Sequence, residues 1–168
     1  MKTLKTVLLA LLICSLSLAC KKDKMPKPTQ TGANTIYAKV NGQPWQHKGC
    51  ISCSEAFQVS YDDRINFGVS GRNYDQKIGI TTVLRNLKAT GTYELSSTDL
   101  DFGDLVNTTL TYNRFTTTKI NKGSVTITKL DLDNKIISGT FEFTAEDKEN
   151  PENTVKVTDG WFDGKYRF

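Results

Sequence analysis

The chain has 168 residues, 22 Lys and Arg against 18 Asp and Glu, and a formal net charge of +4. That excess is uneven: Lys2 and Lys5 lie in residues 1–19, residues 20–32 carry Lys21, Lys22, Lys24 and Lys27 against Asp23 (a net of +3), and residues 33–168 are left at about −1. A body without a basic excess does not neutralise a run of phosphates, so nucleic acid is not an expected partner, and residues 33–168 suffice for one cored domain but not two.

In chain order, Lys2 and Lys5 precede an apolar run from Val7 to Leu16. That run is too short for a bilayer span, which takes about 20 residues, and reads as an export signal. The stretch Leu16-Ser17-Leu18-Ala19-Cys20 resembles the L-[AS]-[GA]-C pattern of bacterial lipoprotein signals, with Ser17 where that pattern has leucine. The resemblance implies cleavage before Cys20, a diacylglycerol on its thiol and acylation of the new amine. Two or more chains hold a protein on a membrane where one does not. Residues 1–19 are then the signal peptide, 20–32 a lipidated extended tether rich in Lys, Pro and Thr, and 33–168 a single β domain. Lysines beside an anionic lipid surface contribute about 1 kcal/mol each.

The domain is patterned with period two, the signature of half-buried strands. Ile36, Ala38 and Val40 alternate up to Asn41-Gly42, a type I′ hairpin signal. Phe57-Val59-Tyr61, then Ile65-Phe67-Val69, then Ile78-Ile80-Thr82-Leu84 follow, and Tyr93 and Leu95 come after Gly91. Residues 96–109 show no pattern and are expected to be a long loop or crossover, with a weak strand at Leu110 and Tyr112. Val125 and Ile127 shift phase to Leu130 and Leu132, which predicts a β-bulge near Thr128-Lys129. Asp133-Asn134 is read as a turn, Ile137 to Phe143 as a strand and residues 145–153 as a charged loop. Val155 and Val157 lead to a turn at Asp159-Gly160, and Trp161 to Phe168 make the last strand. About eight to ten short strands of this kind predict an all-β fold, an antiparallel β-sandwich or partly closed β-barrel.

Three stretches carry a family resemblance: Thr31-Gly32-Ala33-Asn34-Thr35, Val40-Asn41-Gly42-Gln43-Pro44-Trp45, and the run from Val125 to Asp163 that contains ITKLDLDNKIISGTFEF. Together they resemble a family of uncharacterised Bacteroidota-type lipoproteins defined by a domain of unknown function. The resemblance implies a lipid anchor, a β-rich domain and no established activity. It also implies an outer-membrane location, facing the periplasm or the cell surface; Lys21 stands where an Asp would signal inner-membrane retention. Within these motifs Trp45 reads as a core plug or end cap, and Gly139 as making room beside Phe141.

Chemistry-bearing groups are few. With Cys14 removed and Cys20 lipidated, Cys50 and Cys53 are the remaining thiols, and in an oxidising compartment such a pair is expected to form a disulfide. The two ends of a four-residue turn come close enough for that bond. Two alternatives compete with this structural staple: a C-x-x-C redox pair, and a metal site that adds His47 as H-x2-C-x2-C. Asp99, Asp101 and Asp104 form an acidic cluster without the order of a calcium loop, and Asp163 reads as a strand-edge residue. No cofactor, metal or catalytic residues are expected. The leading expectation is a non-catalytic envelope domain, membrane-bound through its lipid, which binds a glycan, a protein or a small molecule or is structural. The alternative is a thiol–disulfide redox protein. Tyr74, Phe102 and Phe115 are the candidate ligand contacts, with core packing as the competing role for each.

Overall fold

The computed structural model describes residues 25–53, 55–62, 66–96, 102–107 and 113–166. Eleven strands lie among the described residues: β1 (Thr35–Val40), β2 (Gln43–Gln46), β3 (Phe57–Tyr61), β4 (Phe67–Asn73), β5 (Ile78–Leu84), β6 (Gly91–Leu95), β7 (Phe102–Asn107), β8 (Asn113–Thr116), β9 (Gly123–Asp131), β10 (Ile136–Asp147) and β11 (Thr154–Lys165). Local chemistry makes the turns between them. Asn41 and Gly42 take φ of 48° and 78°, the left-handed pair a two-residue type I′ connection needs, and join β1 to β2. Between β9 and β10, the Asp131 carboxylate accepts the Asn134 N–H at 3.0 Å and closes the turn.

Strand pairing is antiparallel throughout and builds two sheets. The first runs β2-β1-β11-β10-β9-β6 and the second β3-β4-β5-β7-β8. Strand β10 belongs to both. Its residues from Ile136 to Phe143 pair with β9, and Glu146 and Asp147, beyond the end of β9, pair with Thr116 and Phe115 of β8. On the far side a single parallel bridge, Lys48 to Asn73, links the chain after β2 to β4. The sheets are not closed into a barrel, and the all-β sandwich expected from the periodicity is what forms.

The core lies between the sheets. Ile36, Ile137, Phe141 and Phe162 from the first face Phe67, Val69, Ile80 and Leu84 from the second, all at most 3% exposed. Each such side chain stabilises the fold by roughly 1.5–3 kcal/mol through lost apolar exposure. Trp45 is a core plug, 1% exposed, and its indole N–H donates to the Ile78 carbonyl at 3.3 Å. Two glycines let rings lie flat on the sheet. A Cβ on Gly139 would stand 2.8 Å from the Phe162 ring, and one on Gly160 would stand 2.7 Å from the Phe141 ring. The aromatic beside Gly139 is therefore Phe162, not its chain neighbour Phe141.

The bulge expected near Thr128 is present: Ser138 pairs with Lys129 and Gly139 with Ile127, leaving Thr128 as the extra residue. Three expectations are corrected. Asp159-Gly160 is not a turn but a second bulge within a continuous β11, where Asp159 adopts φ 52° and the inward phase passes from Val155 and Val157 to Phe162. β10 continues to Asp147, so the charged loop starts later than residue 145. The unpatterned segment 96–109 contains β7, which lies between β5 and β8. Leu110 and Tyr112 fall outside the described residues.

Candidate functional site

The outer face of the second sheet is floored by small and polar side chains in two cross-strand rows. Gln58, Ser70 and Thr81 are one row, and Ser60, Gly68 and Val83 the next. The opposite residues of the same strands, such as Phe57, Val69 and Thr82, point inward, so the pleat alone puts this polar set outside. Without side-chain bulk at Gly68 the floor dips beside Ser60, whose hydroxyl would lie 3.1 Å from a Cβ there. The wall comes from the first sheet: Asn34, the β9–β10 turn at Asn134 and Lys135, and Lys165 and Tyr166 at the end of β11. Floor and wall enclose an open groove of about 980 Å³. That is at the upper end of the usual size for ligand sites, with a mixed lining in which Phe57, Val59, Val69 and Val83 stand among the hydroxyl, amide and charged groups. Such a surface offers hydroxyl and amide hydrogen bonds, two ammonium groups and the Glu55 carboxylate.

Beside the wall lies a group that the strand-edge reading of Asp163 overlooks. Asp163 is on the outer face of β11 and is fully buried. Its carboxylate accepts the backbone N–H groups of Thr31 (2.9 Å), Gly32 (2.8 Å) and Ala33 (3.1 Å). It also accepts the hydroxyls of Thr29 at 2.6 Å and Ser138 at 2.8 Å. Successive N–H groups converging on an anion form a nest, here with Gly32 at φ 75°. Burial pushes the carboxyl pKa up, but the hydrogen bonds from Thr29, Ala33, Thr31 and Ser138 outweigh it and bring it down to about 2. The chain that enters the domain is thus pinned to the centre of the first sheet. The signal was visible only as an ionisable residue between Phe162 and Gly164 near the end of β11. Its donors from Thr29, Thr31, Gly32 and Ala33 lie 130 to 134 positions earlier, and Ser138 lies 25 positions earlier.

The remaining expected residues are dispersed. Cys50 and Cys53 are joined by a disulfide, with Cα atoms 5.2 Å apart in a turn closed by the Cys53 N–H on the Cys50 carbonyl. Ile51 at its tip is fully exposed. The metal reading of His47 with these cysteines fails because the sulfurs are bonded to each other. The His47 Nδ1 faces the Ile36 backbone at 3.3 Å, and its ring packs on Phe57 with centroids 5.5 Å apart. Tyr74 is half-buried, with its N–H on the Lys48 carbonyl at 3.1 Å and the Arg72 guanidinium 5.6 Å from its ring centroid. Phe115 is 5% exposed within the core, so its role is packing and it is withdrawn as a ligand contact. Phe102 begins β7, but its side chain, that of Asp104, and Asp99 and Asp101 lie outside the described set, as does Cys20. Neither Tyr74 nor Phe115 lines the groove.

No curated protein and no solved structure matches the chain. A family model described as a domain of unknown function, DUF6252, matches residues 33–164, a span that holds both Ala33 and Asp163 of the buried clamp. The chain belongs to that family.

Proposed function

We propose that this chain is a lipid-anchored lipoprotein of the cell envelope, cut before Cys20 and held on the outer membrane. Its β domain binds a ligand in the groove between β3, β4, β5 and the end of β11, without catalysing a reaction. The observation that carries the reading is the groove itself: about 980 Å³ over a floor of Gln58, Ser60, Ser70 and Thr81 beside Lys135 and Lys165. Groups of that kind recognise hydroxyl-, amide- or carboxylate-bearing molecules by hydrogen bonds.

The anchor is tested by partition between detergent and water. The parent chain is expected in the detergent phase and Cys20→Ala in the aqueous phase; equal partition overturns the lipid reading. Groove binding is tested by titrating soluble envelope glycans and peptides while following the amides of Ser60, Ser70 and Thr81. Shifts at these amides that vanish in Ser70→Arg support it. Shifts that persist in that variant, or that lie elsewhere on the surface, overturn it.

A second reading, thiol–disulfide exchange, draws on the exposure of Cys50. Ready exchange of the pair with mild thiols would favour it, and resistance would leave the disulfide as a staple.

A further inference from the structure

The strap formed by residues 29–34 does more than enter the fold: we propose that, docked on Asp163, it builds the lysine wall of the groove, so that the state of the strap sets the binding competence of the groove. The inference rests on the groove being a binding site and adds how that site is regulated.

Two contacts connect the two. Asn34 lines the groove, and its side-chain oxygen accepts the Lys165 N–H at 2.9 Å. The Lys165 side chain lies over Gly32, with its Cγ 2.7 Å from where a Cβ would be. Lys165 and Tyr166 then form part of the wall. The wall thus takes its position from the strap, and the strap takes its position from one carboxylate.

The strap is also separable from the fold. Residues 26–31 are exposed and bury no apolar side chain, so the hydrophobic core contributes nothing to holding them. Beyond the Asp163 bonds, the Gln30 side-chain amide donates to the Thr128 hydroxyl at 3.0 Å and the Lys129 ammonium to the Gln30 carbonyl at 3.1 Å, both exposed. A segment held by polar contacts at its rim opens as a unit while the sheets stay intact. Docked and released strap are therefore two states of one native domain. A ligand that favours one of them shifts the other by the same free energy.

The test uses the full chain in detergent, with Asp163→Asn and Gly32→Val. The second variant leaves the strands untouched and breaks the strap through φ 75° and the clash with Lys165. Amide exchange is read at Thr31, Gly32 and Ala33 for the strap, at Lys165 for the wall, and at Phe141 for the core; acetylation of Lys165 is read against Lys88. In both variants the strap and Lys165 amides are expected to exchange at least tenfold faster and Lys165 to acetylate faster, while the Phe141 amide speeds up by no more than the variant's loss of global stability in urea unfolding accounts for. Strap amides that exchange freely in the parent overturn the docked state. Strap amides released without any change at Lys165 overturn the coupling. Should Asp163→Asn fail to fold, Gly32→Val decides. A parent groove that shows the coupling but shifts with no ligand would sink the binding reading and leave the strap result standing.

Discussion

The two sheets present opposite outer faces. On the first, Tyr37, Trp161, Ser138 and Asp163 are all at most 4% exposed, with Tyr37 stacked on Trp161 and the chain's own residues 29–33 laid over the carboxylate. On the second, Gln58 and Ser60 are exposed, and Ser70 and Thr81 are half-buried, with no strap across them among the described residues. Both faces alternate with the same core and both carry polar groups. The difference is coverage. A polar group under cover costs stability unless it is matched, as the Asp163 carboxylate is and the buried Trp161 indole N–H, with no partner among the described residues, is not; an open one can leave its bonds to water or to a ligand.

Four changes would break or sharpen that contrast. The largest effect should come from beneath both faces: Phe162→Ala removes a ring that packs on Phe67 and Phe141, and should cost about 3–5 kcal/mol in urea unfolding. A loss under 1 kcal/mol would mean that the sheets do not share one core.

Next is the covered face. Asp163→Asn should cost about 2 kcal/mol at neutral pH. The folded pKa of about 2 lies below the ordinary 3.8, so the carboxylate's contribution is complete above about pH 4. It is lost as the pH falls from about 4 to about 2, a total of about 2 kcal/mol at 1.36 kcal/mol per unit. The parent should lose that stability in acid titration and the Asn variant should not; parallel curves would refute the clamp.

A smaller gain is expected from Thr82, on the inner side of the open sheet. Its hydroxyl is buried with no partner among the described residues. Thr82→Val keeps the shape, removes the unmatched group and should raise stability by about 1 kcal/mol by calorimetry. A loss instead would reveal a partner for that hydroxyl.

The smallest effect belongs to the open face: Ser70→Arg should change stability by less than about 0.5 kcal/mol while blocking the groove. A loss comparable to that of Asp163→Asn would show that the groove floor is itself covered.

Legibility in the sequence followed the range of the interactions. Strands β1, β3, β5 and β10 were readable because one face of each meets the core and the other does not, which writes period two into the residues. The bulge at Thr128 was readable because it shifts that period in place. Asp159-Gly160 was not, since positive φ at an aspartate serves a turn and a bulge equally; pairing with β10 and β1 decides between them. β7 was not, because Phe102-Gly103-Asp104-Leu105-Val106-Asn107 has no clean alternation. Gly103 is there because Phe143 lies against it, 2.8 Å from where a Cβ would sit. The Cys50–Cys53 bond needed only the spacing. The groove needed the register of three strands and the end of a fourth, and Asp163 needed donors from the opposite end of the domain.

Thr35 pairs with Asp163, so the first strand of the domain, joined to β2 along one edge, finds its other neighbour only in β11. Synthesis that has reached β10 leaves β1 and the β11 side of β10 as bare edges, open to other chains. Completion waits for the final dozen residues, a long-range closure that folds slowly. A chain cut short before β11 therefore yields an aggregation-prone fragment instead of a shortened domain.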